Sequence, residues 1–423
     1  MKSNIPSLKA APKVLIVANV WPEPDSSAAG KHMMQLLETL SVLSEEMLFT
    51  CTAVESHFVS PRLSEICKTA NIRMNCSSFD QLVSDFSPDL VVYDRFLAEE
   101  QFGWRVRERC PEAVTMLNTE DLHFVRRWRE NNRSDTGFSC TDIPVSAFLT
   151  TDAQRELAAL FRSDLTLLIS EAEHRLLLHH LPATAGLLQY HPLCKEGGNQ
   201  ALNTVTDHQT NVISLGNFLH KPNQDAALTL IQHLWPALGP QLKNAELHLY
   251  GAYPSEKHFR WSQPAKRVWV KGRAKNLQET LCAHRLMLAP IRFGSGIKGK
   301  LLDAMQFGLP FVTTPIGIEG IDSTENCEPF VGFTREDFIQ KSVRLYEDVA
   351  LRNEFRAWAH EVLNNRFESR AHETSLIKTL TARLRNRSHF RQQNIIGAML
   401  QHHSLASTRY MGKWIEAKNA GIT

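Results

Sequence analysis

Two lysines near the start of a helix-compatible run have the most informative placement in this sequence. The segment APIRFGSGIKGKLLDAMQ, which begins at Ala289, has the pattern of an apolar strand end, a glycine-rich loop and a helix over 299–307. Lys298 and Lys300 stand where that helix begins, although the exposed N–H groups of a helix start favour anions. A phosphate bound between the lysines and the helix terminus would account for this placement.

Asp303 lies three residues after Lys300 and therefore on the same face of the helix. A carboxylate one turn from a phosphate site can accept hydrogen bonds from both hydroxyls of a ribose. These positions predict a site for a nucleotide diphosphate. The preceding loop adds four donor-binding candidates, Arg292, Gly294, Ser295 and Gly296.

The segment GSGIKGKLLDAM (294–305) resembles the donor-binding region of retaining glycosyltransferases of the GT-B fold, family 4 (group 1) type. The likeness extends over most of 211–322. It implies an α/β protein with two Rossmann-like, doubly wound domains that face a cleft. The implied activity is retaining transfer of a sugar from a nucleotide-diphosphate sugar to a glycan, lipid or other hydroxyl acceptor. The second domain is expected to hold the donor.

Two positions depart from the family pattern. Asp303 stands where the family helix usually has Glu, which keeps the charge and shortens the reach by one methylene. Ser295 stands where many members have a Glu that contacts the sugar or the phosphates. The subgroup with Gly-Ser-Gly generally lacks that Glu, so the departure does not imply an inactive enzyme.

The resemblance places further candidates elsewhere in the chain. Arg273 follows a strand at a turn that borders the nucleotide base, Asn217 ends another strand, and Gly30 begins a helix near the donor phosphates. The run LNTEDLHFVRRWRE (117–130) falls where related transferases place a His or an acid near the anomeric carbon. Its catalytic candidates are Glu120, Asp121 and His123, and the alignment does not choose among them. For its arginines 126, 127 and 129, a solvated helix face is a better interpretation than phosphate or acceptor binding.

No Asp-x-Asp motif occurs in the sequence, so a metal on the diphosphate is not expected. Lys298, Lys300 and the helix terminus would supply the positive charge instead. No cofactor is expected beyond the donor substrate.

Alternating apolar runs and helical stretches indicate parallel strands with crossover helices. The first run, KVLIVAN (13–19), is typical of a buried parallel strand, and the polar stretch 195–210 is typical of a linker. We therefore predict an acceptor-side domain over 1–200, a nucleotide-sugar-binding domain over 201–385 and a basic amphipathic tail over 386–423.

Composition favours a soluble cytoplasmic enzyme. A net charge of +2 argues against a nucleic-acid binder. The eight cysteines form no C-x-x-C pair, which suits a reducing compartment, and the chain shows neither a signal peptide nor an apolar run long enough to cross a membrane. The basic tail has two interpretations that the sequence leaves open: contact with an anionic inner membrane face, or helix packing against the first domain.

Two other functions also fit the sequence. A nucleotide-sugar 2-epimerase of the same fold would need no acceptor, and a non-catalytic nucleotide-sugar-binding protein would release no nucleoside diphosphate.

Overall fold

The computed structural model describes residues 11–134, 137–138, 142–195 and 208–421 and contains two parallel α/β units. The first unit has a seven-stranded parallel sheet in the order β3-β2-β1-β4-β5-β6-β7. Its strands are β1 (Lys13–Ala18), β2 (Glu46–Cys51), β3 (Lys68–Asn71), β4 (Leu90–Asp94), β5 (Val114–Asn118), β6 (Leu165–Leu168) and β7 (Leu188–Tyr190). Its helices are α1 (Ala28–Ser41), α2 (Leu63–Ile66), α3 (Ser78–Phe86), α4 (Phe96–Arg109), α5 (His123–Asn131), α6 (Val145–Phe148), α7 (Thr151–Arg162) and α8 (Glu171–His180).

The second unit has a five-stranded parallel sheet in the order β10-β9-β8-β11-β12. Its strands are β8 (Val212–Leu215), β9 (Leu247–Tyr250), β10 (Val268–Gly272), β11 (Leu286–Ala289) and β12 (Phe311–Thr313). Its helices are α9 (Lys221–Thr229), α10 (Trp235–Leu238), α11 (Glu256–Phe259), α12 (Leu277–Cys282), α13 (Gly299–Gln306), α14 (Pro315–Ile318), α15 (Arg335–Glu347) and α16 (Val349–Arg366). A π-helical turn, Leu230–Leu234, joins α9 to α10.

The central strands are mostly apolar and buried because helices cover both faces of each sheet. Every residue of β4 is buried, as are all but the first residue of β1. The edge strands β3 and β7 are more exposed and contain no apolar run, so the sequence did not predict them. The two doubly wound α/β units agree with the fold class expected from the sequence.

Two long helices, α17 (Ser369–Gln393) and α18 (Ile395–Ala420), end the described chain. Leu376 and Leu380 of α17 join the core beneath β1, so residues of the predicted second domain pack on the first sheet. Helix α18 packs against α4 and α7. Of the two interpretations of the basic tail, packing against the first unit is therefore observed. Most of the predicted linker, 196–207, lies outside the described residues.

Candidate active site

The loops after β5 and β11 meet between the two units. Gly296 has φ +63°, and a Cβ atom there would lie 2.9 Å from Cβ of Asp121 in the other unit. A side chain at Gly299 would lie 2.5 Å from Cβ of Ala28, at the start of α1. The N-termini of α1 and α13 therefore adjoin each other, which concentrates N–H groups and positive helix ends in one place. We call the segment 290–298 the donor loop.

Lys298 and Lys300 stand at the N-terminus of α13, as predicted. The Lys298 ammonium donates to the Gly296 carbonyl at 2.8 Å, and that of Lys300 donates to Oδ1 of Asn223 at 2.7 Å. Neither lysine forms a salt bridge within the described part of the chain. Burial lowers the pKa of Lys298, and burial together with Lys298 lowers the pKa of Lys300 to about 7. The carboxylates of Glu319, Glu173 and Asp121 partly oppose the effect of burial on the pKa of Lys298, whereas no described carboxylate does so for Lys300.

Asp303 is also buried, but its carboxylate is paired. Oδ1 lies 2.9 Å from the Lys31 ammonium and 2.5 Å from that of Lys195. Burial opposes the charged carboxylate, yet Lys195 and Lys31 hold its pKa below the usual range. Both lysines belong to the first unit, so Asp303 ties the two units together. A ribose bound to Asp303 would share the carboxylate with them.

Three other donor-binding candidates surround the turn before α1. Arg273 donates to Ser26 Oγ at 2.5 Å and stacks 3.7 Å over the Phe58 ring, and Asn217 donates to the Ser26 carbonyl at 3.3 Å. Gly30 lies in the first turn of α1, and a Cβ atom there would lie 2.4 Å from the Glu23 carbonyl, so this close approach requires glycine.

Arg292 lies apart from this group. Its guanidinium forms two hydrogen bonds to Asp225, at 2.5 and 2.8 Å. Asp225 therefore neutralises much of the Arg292 charge, which the sequence analysis expected to act on a diphosphate. Gly294, with φ +153°, and Ser295 lie in the donor loop beside Gly296.

The three catalytic candidates occupy different environments. Glu120 is buried at φ +61°, where its Oε1 contacts Nδ1 of His32 at 3.0 Å and accepts from Asn118 at 2.9 Å. Burial disfavours a charged His32 ring, yet Glu120 raises its pKa. Glu120 is thus held within a buried cluster of the first unit.

Asp121 lies against the donor loop at Gly296. It pairs with Arg126, and its Oδ1 lies 3.6 Å from Nε2 of His123. Although burial opposes ionisation, Arg126 and His123 lower the pKa of Asp121 to about 2. Burial lowers the pKa of His123 to about 4 despite Asp121, so the imidazole is neutral at pH 7. Of the candidates, Asp121 therefore has a direct approach to the donor loop, at Gly296.

Arg129 corrects the interpretation of its helix as a solvated face. Its side chain is buried, donates two 2.7 Å hydrogen bonds to Glu319 and bonds the Gly294 carbonyl at 2.9 Å. The sequence analysis missed Glu319 because nothing in the sequence shows that Arg129, 190 positions away, pairs with it. Arg126 pairs with Asp121, whereas the more exposed Arg127 pairs with Asp152.

Glu173 is a second missed acid that contacts the donor loop. Its Oε1 accepts from the backbone N–H of Leu122 and of Gly296, both at 2.9 Å, and from the Ser295 hydroxyl. Burial, reinforced by Asp121, raises the pKa of Glu173. The sequence offered little signal for this role, because an acid in the first turn of a helix usually interacts with the helix dipole alone.

A cavity of about 500 Å³ lies between α5, α8 and the turn at Glu319. Its wall includes apolar Val125, Ile143 and Leu176 together with Arg129 and Glu173. The cavity therefore adjoins the donor loop on the side of the first unit. Within the described ranges, no cluster of three or more His, Cys, Asp or Glu side chains is arranged to hold a metal ion.

Residues 209–348 match the sequence model of the family described as glycosyl transferases group 1. The match extends from β8 through α15 and includes the whole donor loop. The second unit therefore matches the family that the sequence was expected to resemble over this segment. No curated protein sequence matches the chain significantly.

Solved structures identify the fold as GT-B, as expected. Sucrose-phosphate synthase from Thermosynechococcus elongatus superposes with a TM-score of 0.65 at 15% identity, covering 88% of this chain and 99% of that one. Anabaena HepE in complex with UDP and glucose gives 0.63 at 12%, covering 88% and 100%. A glycosyltransferase from Rickettsia africae gives 0.60 at 10%, covering 88% and 98%.

Proposed function

We propose that this protein is a retaining glycosyltransferase that moves a sugar from a nucleotide-diphosphate sugar to a hydroxyl acceptor. The observation that carries the proposal is the placement of Lys298 and Lys300, which form no salt bridge among the described residues, at the start of α13, where the start of α1 adjoins it. Fixed cations and helix N–H groups aimed at one point stabilise the negative charge that develops on a leaving diphosphate. The family match over this segment supports the same role.

In the proposed mechanism the diphosphate lies against Lys298, Lys300 and the first turn of α13. Asp303 accepts hydrogen bonds from the ribose, with Lys31 and Lys195 holding its carboxylate in place. Asp121 faces the donor loop from the acceptor side and is ionised at neutral pH. An anionic group there would stabilise positive charge developing on the sugar. Glu120 and His123 would hold the Asp121 loop in shape.

A nucleotide screen tests the proposal directly. UDP is the first ligand to try, because the similar structures of HepE are complexes with UDP and glucose and with UDP-glucose. A nucleotide at 100 times its dissociation constant raises the free energy of unfolding by about 2.7 kcal/mol, which thermal-shift measurements detect. Absence of stabilisation by UDP, GDP, ADP and their sugar conjugates would contradict the assignment. Retention would be checked by following the anomeric configuration of the transferred sugar by NMR.

Slow donor hydrolysis separates the proposal from its alternatives. A transferase without acceptor releases nucleoside diphosphate slowly, whereas a 2-epimerase changes the sugar and a binding protein leaves the donor intact. We expect turnover to persist in excess EDTA, since fixed cations would neutralise the diphosphate. Loss of turnover on chelation, restored by magnesium or manganese, would show that a metal does this instead.

From the outer face of α18 we also propose peripheral contact with an anionic membrane, which would supply the acceptor. Ile395, Met399, Tyr410 and Trp414 on this face are each at least 60% exposed. The nearby Lys413 is also exposed, while the acidic Glu416 turns inward and pairs with Arg105. Apolar and cationic side chains on one face suit a lipid surface. Within the described ranges, no helix has the length and apolar character needed to cross a bilayer.

Vesicle flotation tests the membrane contact. The protein should float with vesicles containing phosphatidylserine and remain below neutral ones, and Trp414→Ser should weaken flotation. Equal recovery with both vesicle types would contradict the charge argument.

A further inference from the structure

Two buried glutamates of the first unit differ in how their oxygens are used. Glu156 accepts from the backbone N–H of His123 with Oε1 and of Phe124 with Oε2, so both oxygens cap the start of α5. Glu173 uses Oε1 for all of its hydrogen bonds, while Oε2 is buried and has no partner among the described residues. A buried polar atom without a partner is costly, so it calls for an explanation.

The location of Glu173 supplies one. Glu173 lines the 500 Å³ cavity and also binds the donor loop at Ser295 and Gly296. A group in the cavity therefore lies beside Glu173, with the donor loop next to it. The wall combines apolar Val125, Ile143 and Leu176 with polar side chains, a mixture that suits the faces and hydroxyls of a sugar ring.

Resting on the proposed function, we propose that this cavity is a sugar subsite and that the Glu173 carboxylate accepts a hydrogen bond from a sugar hydroxyl there. The hydroxyl completes the bonding of Oε2, while Oε1 keeps the donor loop in register with the Asp121 loop. Glu173 is thus a specificity-determining residue supplied by the acceptor-side unit to a loop of the donor-side unit. The hydroxyl belongs either to the donor sugar or to a sugar acceptor, and two measurements distinguish these sources.

The test compares Glu173→Gln with Glu171→Gln. Glutamine keeps the shape and an oxygen for the backbone N–H groups but loses the charge and one acceptor. Glu171 is on the same helix, is 40% exposed at its side chain and pairs with Arg366, so its substitution controls for charge alone. Calorimetry would give dissociation constants for UDP and for UDP-glucose. If the nucleotide screen selects a different donor, the same two constants are measured for that nucleotide sugar and for the nucleoside diphosphate that it contains.

If the hydroxyl belongs to the donor, Glu173→Gln should keep the affinity for the nucleotide within about threefold and weaken that for the nucleotide sugar about tenfold, the order expected when a hydrogen bond to a charged group is lost. If it belongs to the acceptor, both donor affinities should persist. Saturation-transfer NMR of methyl α-glucopyranoside on the nucleotide-saturated protein should then show contact in the parent and the control and no contact in the variant.

Equal weakening of nucleotide and nucleotide sugar would show that Glu173 only braces the loop, and the subsite would be rejected. Unchanged donor affinities with unchanged glucoside contact, or no glucoside contact in the parent, would reject it as well. If Glu173→Gln fails to fold, Glu173→Asp keeps the charge and retracts it by one methylene, and the same comparison applies. If the parent protein binds no nucleotide, the proposed function itself is overturned. If the parent binds the nucleotide and its sugar conjugate but Glu173→Gln changes neither these affinities nor the glucoside contact, only this inference is overturned.

Discussion

Four lysines surround the first turns of α13, and they form two pairs that differ in whether a carboxylate binds them. Lys31 and Lys195 come from the first unit and share the Asp303 carboxylate. Lys298 and Lys300 come from the second unit and bond only to neutral oxygens. A buried lysine that pairs with a carboxylate stabilises the free protein. A buried lysine that is hydrogen-bonded only to neutral oxygens can instead bind an anionic ligand. The contrast separates scaffold from site more clearly than residue type does.

The largest expected effect is on the paired set. Asp303→Asn leaves two neighbouring lysines without their carboxylate, and removing one member of a buried ion pair costs about 3–5 kcal/mol of unfolding free energy. Urea unfolding of parent and variant at pH 7 measures the loss. Adding Lys195→Met to Asp303→Asn should restore part of it, since one unmatched charge is removed.

The contribution of Asp303 and its two lysines to the free energy of unfolding depends on pH in a defined way. The pKa of Asp303 is lowered in the folded state, so its stabilisation is present above its unfolded pKa, about 3.9, and is lost as pH falls through the lower folded value. Asp303→Asn should abolish this acid-limb contribution. Its role toward the ligand is checked with a nucleotide sugar and its 2′-deoxy analogue, because the variant should discriminate less between them. Equal losses for both ligands would assign Asp303 to the scaffold alone.

Next in size is the unpaired set. Lys300→Ala should weaken nucleoside diphosphate binding by about 1.5–3 kcal/mol, the range for a hydrogen bond to a charged group, which is roughly 10- to 150-fold. Because Lys300 lacks a counter-ion, the variant should melt no lower than the parent. Titration calorimetry with UDP and GDP, paired with a melting curve, measures both quantities. A variant that melts lower and binds normally would reverse the comparison between the two lysine pairs.

The sequence predicted the second unit far better than the first. The Gly-Ser-Gly loop, Lys298, Lys300 and the start of α13 were found because local rules govern them: positive φ needs glycine, and a helix start faces its ligand through adjacent residues. The central strands were found for the same reason, since buried parallel strands form local runs of mostly apolar residues.

What the sequence missed depends on contacts between distant residues. Arg129 meets Glu319 across 190 positions, and Glu173 meets Gly296 across 123. Lys31 follows Gly30 directly, so a cation at a helix start was visible, but its partner Asp303 was not. No periodicity records which loop faces which across a cleft. The single-residue candidates of the first unit therefore stayed open among Glu120, Asp121 and His123.

A smaller effect concerns protonation at the unpaired set. With a pKa of about 7, Lys300 is half charged in the free protein at neutral pH, and a bound diphosphate would restore its charge. Binding should then take up protons, and affinity should fall up to tenfold per pH unit above 7, while the phosphate, with its second pKa near 6, stays ionised. Calorimetry from pH 7 to 9, in buffers of different ionisation enthalpy, measures this uptake. Lys300→Met should flatten the profile, and an equally steep profile in that variant would assign the proton elsewhere.

The smallest effect is expected at Lys31, where the two lysine pairs come closest in role. Its side chain is 26% exposed, against 7% for Lys195, so solvent already screens its bond to Asp303. Lys31→Met should therefore lower the free energy of unfolding by about 1 kcal/mol or less, the scale of an exposed ion pair, because Lys195 still neutralises Asp303. Lys195→Met should cost more, since it leaves the buried carboxylate with its more solvated partner. Urea unfolding of both variants orders the two effects. If Lys31→Met also weakened UDP binding as much as Lys300→Ala does, Lys31 would contact the diphosphate, and the division into scaffold and site lysines would have to be redrawn with three cations on the anion.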